Sequence, residues 1–215
     1  MFNVYIEMTM IKTLKYSLLL LCLPVAAWAA DFKAGEHYQV LEAEASEADK
    51  VTEFFSFYCP HCFKLEPIVG ALEESLPEGV PLVKSHVNFL RIDKDAQNRL
   101  TRAYLVAKEE GKDAEVAQAI FDSIHRQREP LQTQESVEAL LAEQGIDAQR
   151  FAMLAASEPV VNGEKEAVDD QTTYSKLGAL TGVPTLIVND KYKVHVHKVA
   201  SQQELNELVN YLLEK

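Results

Sequence analysis

Cysteine is scarce in this chain. Three occur in 215 residues, at positions 22, 59 and 62. Positive charge is also in deficit: 21 Lys and Arg stand against 33 Asp and Glu, for a formal net charge of −12. Such a surface disfavours nucleic acid and anionic membrane as partners. Long apolar runs are missing too. Leu18 to Leu23 is too short, and too closely followed by Ala27-Trp28-Ala29, to favour a membrane span. No internal repeat and no low-complexity linker is present.

What is there begins with an address. Lys12 and Lys15 precede the apolar run, and Ala27-Trp28-Ala29 is a small-x-small cleavage signature. Residues 1–29 therefore read as a signal peptide cleaved near Ala29. Two rivals are an uncleaved anchor and a lipoprotein using Cys22, the latter opposed by the bulk of Leu21. The start is Met1 or Met10; Met10-Ile11-Lys12 gives the more ordinary charged end. Residues 30–215 suit one globular unit, or one domain with an insertion. Export predicts an oxidising compartment. Cys22 leaves with the signal, so the mature chain keeps only Cys59 and Cys62.

Those two frame Cys59-Pro60-His61-Cys62. A disulfide across two intervening residues constrains the unfolded chain little, which favours chemistry over scaffolding. The run Val51 to Phe57 before the motif is nearly all apolar, as in a strand buried on both faces. Phe63-Lys64-Leu65-Glu66 after it reads as helix. A dithiol at a strand-to-helix junction has the form of a thioredoxin-type redox site. Cys59 at the helix start meets unpaired N–H groups and the macrodipole, and Pro60 suits the first turn. A helix terminus supplies about 0.3–1 kcal/mol, up to about 2, and one pKa unit is about 1.4 kcal/mol. The helix alone thus lowers a thiol by about one unit, and His61 is the available further cation. Cys62, one turn on, is expected to be more buried and to act as resolving thiol.

Further strands are expected at Leu82 to Phe89, Thr185 to Val188 and Lys191 to Val196, the last two joined through Asn189-Asp190 as a hairpin. Ser201 to Glu204 is a capping box opening a helix with Leu205, Leu208, Val209 and Leu212 in one stripe. Pro67 predicts a kink in the helix after the motif. From about Asp93 to Ala167 helical periods take over, with stripes at Leu100–Ala107, Val116–Ile124 and Val137–Leu141, the first and third stopped at Gly111 and Gly145. Glu53 shares a face with Val51, Phe55 and Phe57, so its carboxyl is expected to be partly buried with a raised pKa. Lys84 either pairs with it or stays solvated. Glu66 reads as a helix-surface charge, and His195 and His197 as exposed neighbours on one strand face.

Glu53 to Cys62, Lys84 to Phe89 and Thr181-Gly182-Val183-Pro184-Thr185 resemble the active-site segment, next strand and cis-proline loop of the DsbA family of periplasmic thiol:disulfide oxidoreductases. The resemblance covers almost the whole of 30–215. It implies an α/β thioredoxin-like fold, in two parts at 30–92 and 168–215, interrupted by an inserted all-helical domain at 93–167. It implies catalysis by Cys59 and Cys62, tuned by Pro60 and His61, with Glu53 as a buried acid beneath the site. A generic X-Pro bond is trans in most cases; the resemblance reverses this for Val183-Pro184 and gives Val183 a role in pairing with a substrate strand. The implied partners are newly exported polypeptides with free cysteines and a DsbB-like quinone oxidoreductase in the membrane. A monomer without metal or organic cofactor is expected. An exported reductase or isomerase, a copper carrier on the same Cys-x-x-Cys, and a chaperone with a structural disulfide are the other readings these residues admit.

Overall fold

The segment Val51–Phe57 is buried at every residue. In the computed structural model, which describes residues 32–215, its first five residues form strand β2, Val51–Phe55. The expected signal peptide, its cleavage site and the alternative start lie outside the described residues. Alternation sends Phe54 to one side of the sheet, 5.1 Å from the Tyr174 ring, and Phe55 to the other, facing His86, Tyr104 and Phe121.

Around β2 lie β1 (Tyr38–Val40), β3 (Leu82–His86), β4 (Thr185–Val188) and β5 (Tyr192–Val194). Their order is β1-β5-β4-β2-β3. β2 and β3 run parallel, and the other pairings are antiparallel. The parallel pair is bridged by helix α1, Pro60–Ser75, as such a connection requires. The register sets Glu53 opposite Lys84 and Phe55 opposite His86. β3 stops three residues short of the expected Phe89. Val87 still donates to the Phe55 carbonyl, but the Asn88 N–H turns to the Gln171 side chain at 3.1 Å. β5 likewise ends at Val194, and a 3-10 turn covers Val196–Lys198. His195 and His197 therefore do not share a strand face; their rings lie 5.8 Å apart at this turn.

Asn189 and Asp190 form the β4–β5 turn, with φ of 49° and 59°. Two left-handed residues in succession match the twist of a hairpin. Asn189 also accepts from the Lys50 N–H and donates to Asp49, which ties the turn to the start of β2.

The helical stretch contains α2 (Lys94–Glu109), α3 (Asp113–Asp122), α4 (Gln134–Glu143), α5 (Ala148–Ala155) and α6 (Glu158–Lys176). A π-helical turn at Ser123–Gln127 continues α3. The expected boundary at 167/168 falls inside α6, which runs through it without a break. The helices share a core with the sheet: Phe55, Phe57, Cys59 and Cys62 belong to the same buried cluster as Leu100, Tyr104, Ile120 and Phe121. The last helix, α7 (Gln202–Leu213), buries Leu205, Leu208, Val209 and Leu212. Its cap differs slightly from a simple box. Ser201 accepts from the Glu204 N–H, while the Glu204 carboxylate accepts from Ala200.

Candidate active site

The end of β2 delivers the chain to α1 through a short turn. The Cys59 N–H donates to the Ser56 carbonyl at 3.0 Å, and Tyr58 N–H to Ser56 Oγ. Cys59 is the N-cap of α1 and Pro60 occupies its first turn. In place of the usual capping oxygen, the Cys59 sulfur accepts from the Cys62 N–H at 3.2 Å. Both thiols are free and buried, Cys62 completely. Pro67 lies inside α1, and the helix continues through it.

Electrostatics separates the two sulfurs. The Cys62 thiol, hydrogen-bonded to Cys59, is the largest influence lowering Cys59. Burial opposes it. The backbone N–H groups of Cys62 and His61 and the charge of His61 add to it, and together they bring Cys59 to about 6 from an ordinary value of 9.0. Cys62 moves the other way: its hydrogen bond to Cys59 and its burial push its pKa far up. Near neutral pH the pair therefore holds one thiolate, on Cys59. The His61 side chain is exposed and its charge contributes least of these influences, so the neighbouring thiol does more than the sequence suggested.

The Val183-Pro184 bond is cis. The Val183 carbonyl lies 3.4 Å from Cys59 Sγ, where it accepts from the thiol in its protonated form. Thr185 pins the loop by donating to the Gly182 carbonyl at 2.8 Å. The loop and His61 border a groove of about 570 Å³, whose far wall is formed by Lys193 and His195 to His197.

Beneath the dithiol, Glu53 is completely buried. Burial is the main cause of its carboxyl being raised to about 7, against the opposing charge of Lys84. Lys84 Nζ approaches Glu53 Oε2 at 3.3 Å as an ion pair, though neither Glu53 oxygen has a well-formed hydrogen bond. Lys84 also bonds Glu66 of α1. Glu66 is thus no simple surface charge: it is the second carboxylate on a largely buried ammonium. Lys84 keeps its charge because two carboxylates outweigh its burial and raise its pKa.

Sequence reasoning missed the groups that approach from the helical side. His125, in the π turn, places Nε2 2.8 Å from the Phe57 carbonyl and stacks on Phe63 at 5.0 Å and 12°. Tyr58 donates its hydroxyl to the Pro130 carbonyl at 2.9 Å. The residues flanking both cysteines are therefore held by this turn and by the Pro130 carbonyl that follows it. His125 falls four residues after Phe121, and that i, i+4 spacing toward an apolar stripe was the available signal. His86 lies under the same cluster, stacked on Phe57 and bonded to Thr101 at 2.7 Å; burial alone lowers it to about 3. Thr101 donates to the Gln97 carbonyl, so it accepts from His86 Nδ1, and the imidazole is neutral. Among the described residues no group of three or more His, Cys, Asp or Glu is placed to hold a metal ion.

Comparison with known proteins agrees with this geometry. Residues 50–212 match the family model of the DSBA-like thioredoxin domain. The thiol:disulfide interchange protein DsbA of Pectobacterium carotovorum is 32% identical over 190 residues, covering 85% of this chain and 86% of that protein. The DsbA of Escherichia coli K12 is 30% identical over 208 residues, covering 91% and 95%. The crystal structure of Pseudomonas aeruginosa DsbA superimposes with a TM-score of 0.71 at 28% identity, over 86% of this chain and 95% of that one. A cysteine-to-serine form of Proteus mirabilis DsbA, solved with the non-covalently bound peptide PWATCDS, gives a TM-score of 0.75 at 25% identity, over 86% and 100%.

Proposed function

The chain belongs to the DSBA-like thioredoxin family and is a disulfide oxidoreductase; from that premise we propose that it passes its Cys59–Cys62 disulfide to newly exported proteins. The observation that carries this direction is the lowered Cys59 thiol. A stabilised thiolate favours the dithiol over the disulfide, which makes the disulfide an oxidant. A low thiol pKa also makes Cys59 a fast leaving group. DsbA is a well-known example of a strong oxidant stabilised in its reduced form, so this consequence is general to the family and not particular to this chain.

The exchange has two steps. A substrate thiolate attacks Cys59 Sγ, the Cys59–Cys62 bond breaks, and a mixed disulfide forms. Cys62 leaves as a thiolate and takes up a proton, because its buried site disfavours the anion. Glu53 supplies that proton: its carboxyl exchanges near neutral pH, and its charge is among those that raise Cys62. A second substrate thiolate then attacks the substrate sulfur of the mixed disulfide. Cys59 departs as the thiolate its site prefers. The substrate loses two electrons and the enzyme gains two.

Val183 offers its backbone beside Cys59, which suits an extended substrate strand. The peptide-bound Proteus mirabilis relative supports that role. Pro184 holds this backbone in place, and Pro60 and His61 tune the sulfur. The disulfide itself carries the electrons, so the reaction requires no metal or organic cofactor. A DsbB-like quinone oxidoreductase of the membrane returns the dithiol to the disulfide. The expected signal peptide and the family together support a periplasmic monomer.

The test is refolding of a reduced protein with several cysteines. The oxidised enzyme accelerates disulfide formation, Cys59→Ser abolishes the effect, and His61→Pro weakens the oxidising power. Acceleration that survives Cys59→Ser overturns the reading.

A further inference from the structure

The groove beside the cis-proline loop departs from the charge of the rest of the molecule. The chain carries 33 acidic residues, yet no Asp or Glu lines this groove among the described residues. Three of the six histidines do so, His61, His195 and His197, together with Lys193. Lys193 is partly desolvated on β5, and burial lowers its pKa with no carboxylate acting against it. His195 is anchored from behind: its Nδ1 meets the Glu36 backbone carbonyl at 2.9 Å and donates to it. Glu36 supplies no charge at that contact. His197 is exposed at the 3-10 turn, and Lys198 beside it is also exposed.

We propose that this wall selects substrate segments carrying acidic side chains in the residues that flank the reacting cysteine. The inference rests on the reading of the groove as the place where an extended substrate lies. Cys59 Sγ and the Val183 carbonyl mark where the substrate cysteine sits. An extended chain advances about 3.3 Å per residue, so neighbouring side chains of the substrate run along the groove walls. A partly desolvated ammonium, unpaired among the described residues, and the exposed imidazoles of His61 and His197 favour carboxylates there. They disfavour lysine and arginine, since like charges brought together oppose binding. The Lys193 ammonium supplies positive charge and the exposed imidazoles of His61 and His197 supply N–H donors, so the groove offers both to an anion. Elsewhere the acidic surface repels the same segments, which concentrates their approach on this face.

The experiment compares three synthetic dithiol peptides that differ only in two residues beside the cysteine: glutamate, glutamine or lysine. Oxidation of each by the full oxidised protein is followed at one fixed pH and low salt, where charge pairing is least screened. The expected order of kcat/KM is glutamate above glutamine above lysine, with on the order of a three- to ten-fold span across the set. The span shrinks as salt is added, because exposed charges are screened. It also shrinks in Lys193→Gln and in His197→Gln, each tested separately. The readout is the ratio between peptides, so a general loss of activity in either variant does not imitate it. Salt dependence in the unaltered protein needs no variant at all. Equal rates for the three peptides, or a preference for lysine, overturn the groove assignment while leaving the oxidase reading intact. Failure to oxidise any peptide overturns the oxidase reading and this assignment with it.

Discussion

Cys59 and Cys62 have the same side chain and opposite acidities because of which one faces the helix start. Cys59 accepts the Cys62 N–H at 3.2 Å and the neighbouring thiol, so its anion is solvated by the protein. Cys62 is completely buried, and its hydrogen bond to Cys59 and its burial outweigh the one backbone contact, from Ser56, that favours its anion. The ordering of influences makes a prediction. Cys62→Ala raises the Cys59 pKa more than His61→Ala does, read by acid titration of thiolate absorbance in each variant. A larger effect of His61→Ala would assign the thiolate to side-chain charge instead. Glu53 gives a second prediction. Its carboxyl is raised to about 7 from 4.5, so between those values the folded protein keeps a proton that the unfolded chain has released. Stability therefore falls as pH rises across that window. Glu53→Gln removes the fall and leaves the protein more stable above about pH 7, by on the order of 3 kcal/mol. Urea unfolding at several pH values checks this; a variant less stable at high pH would show that the Lys84 pairing outweighs burial.

Among the elements, the π turn at Ser123–Gln127 joins the helices to the dithiol. His125 holds the Phe57 carbonyl and stacks on Phe63, one residue beyond Cys62. His125→Leu removes a partly buried hydrogen bond and leaves a carbonyl unsatisfied, which costs about 1–3 kcal/mol. His125→Gln, which can still donate, recovers part of it. Chemical denaturation of both variants measures the difference, and equal losses would mean that only ring stacking matters there. Elements were legible from sequence where one face alone is buried or a turn residue is distinctive. α7 and the Asn189-Asp190 hairpin are of this kind. α6 was not, because only Val160 and Tyr174 of its nineteen residues are buried, so no apolar stripe marks it. β1 is three residues long and offers too little alternation. β3 looked longer than it is because Val87 remains buried after the ladder has given way to Gln171. In the site, the motif and the odd carboxylate at Glu53 showed in the sequence. The cis state of Pro184 came from resemblance, and the Glu66–Lys84 and His125–Phe57 contacts arise only when distant segments meet.

At the scale of the whole molecule, the sheet and the helical segment share a buried cluster, and Cys59 and Cys62 sit within it. A change in the oxidation state of Cys59 is thus a change in the stability of the entire fold. The disulfide closes too short a loop to stabilise the protein much through the unfolded chain. The thiolate acts on the reduced form alone. With Cys59 lowered to about 6, the unfolded reduced chain binds a proton that the folded one does not, between about 6 and its ordinary value. The resulting stability is fully present above that ordinary value and is lost as pH falls through about 6. The most direct test is therefore urea unfolding of the reduced and oxidised protein at about pH 8 and about pH 5. The account predicts a more stable reduced form at the higher pH, with the advantage shrinking at the lower. An oxidised form that is the more stable at the higher pH would contradict it.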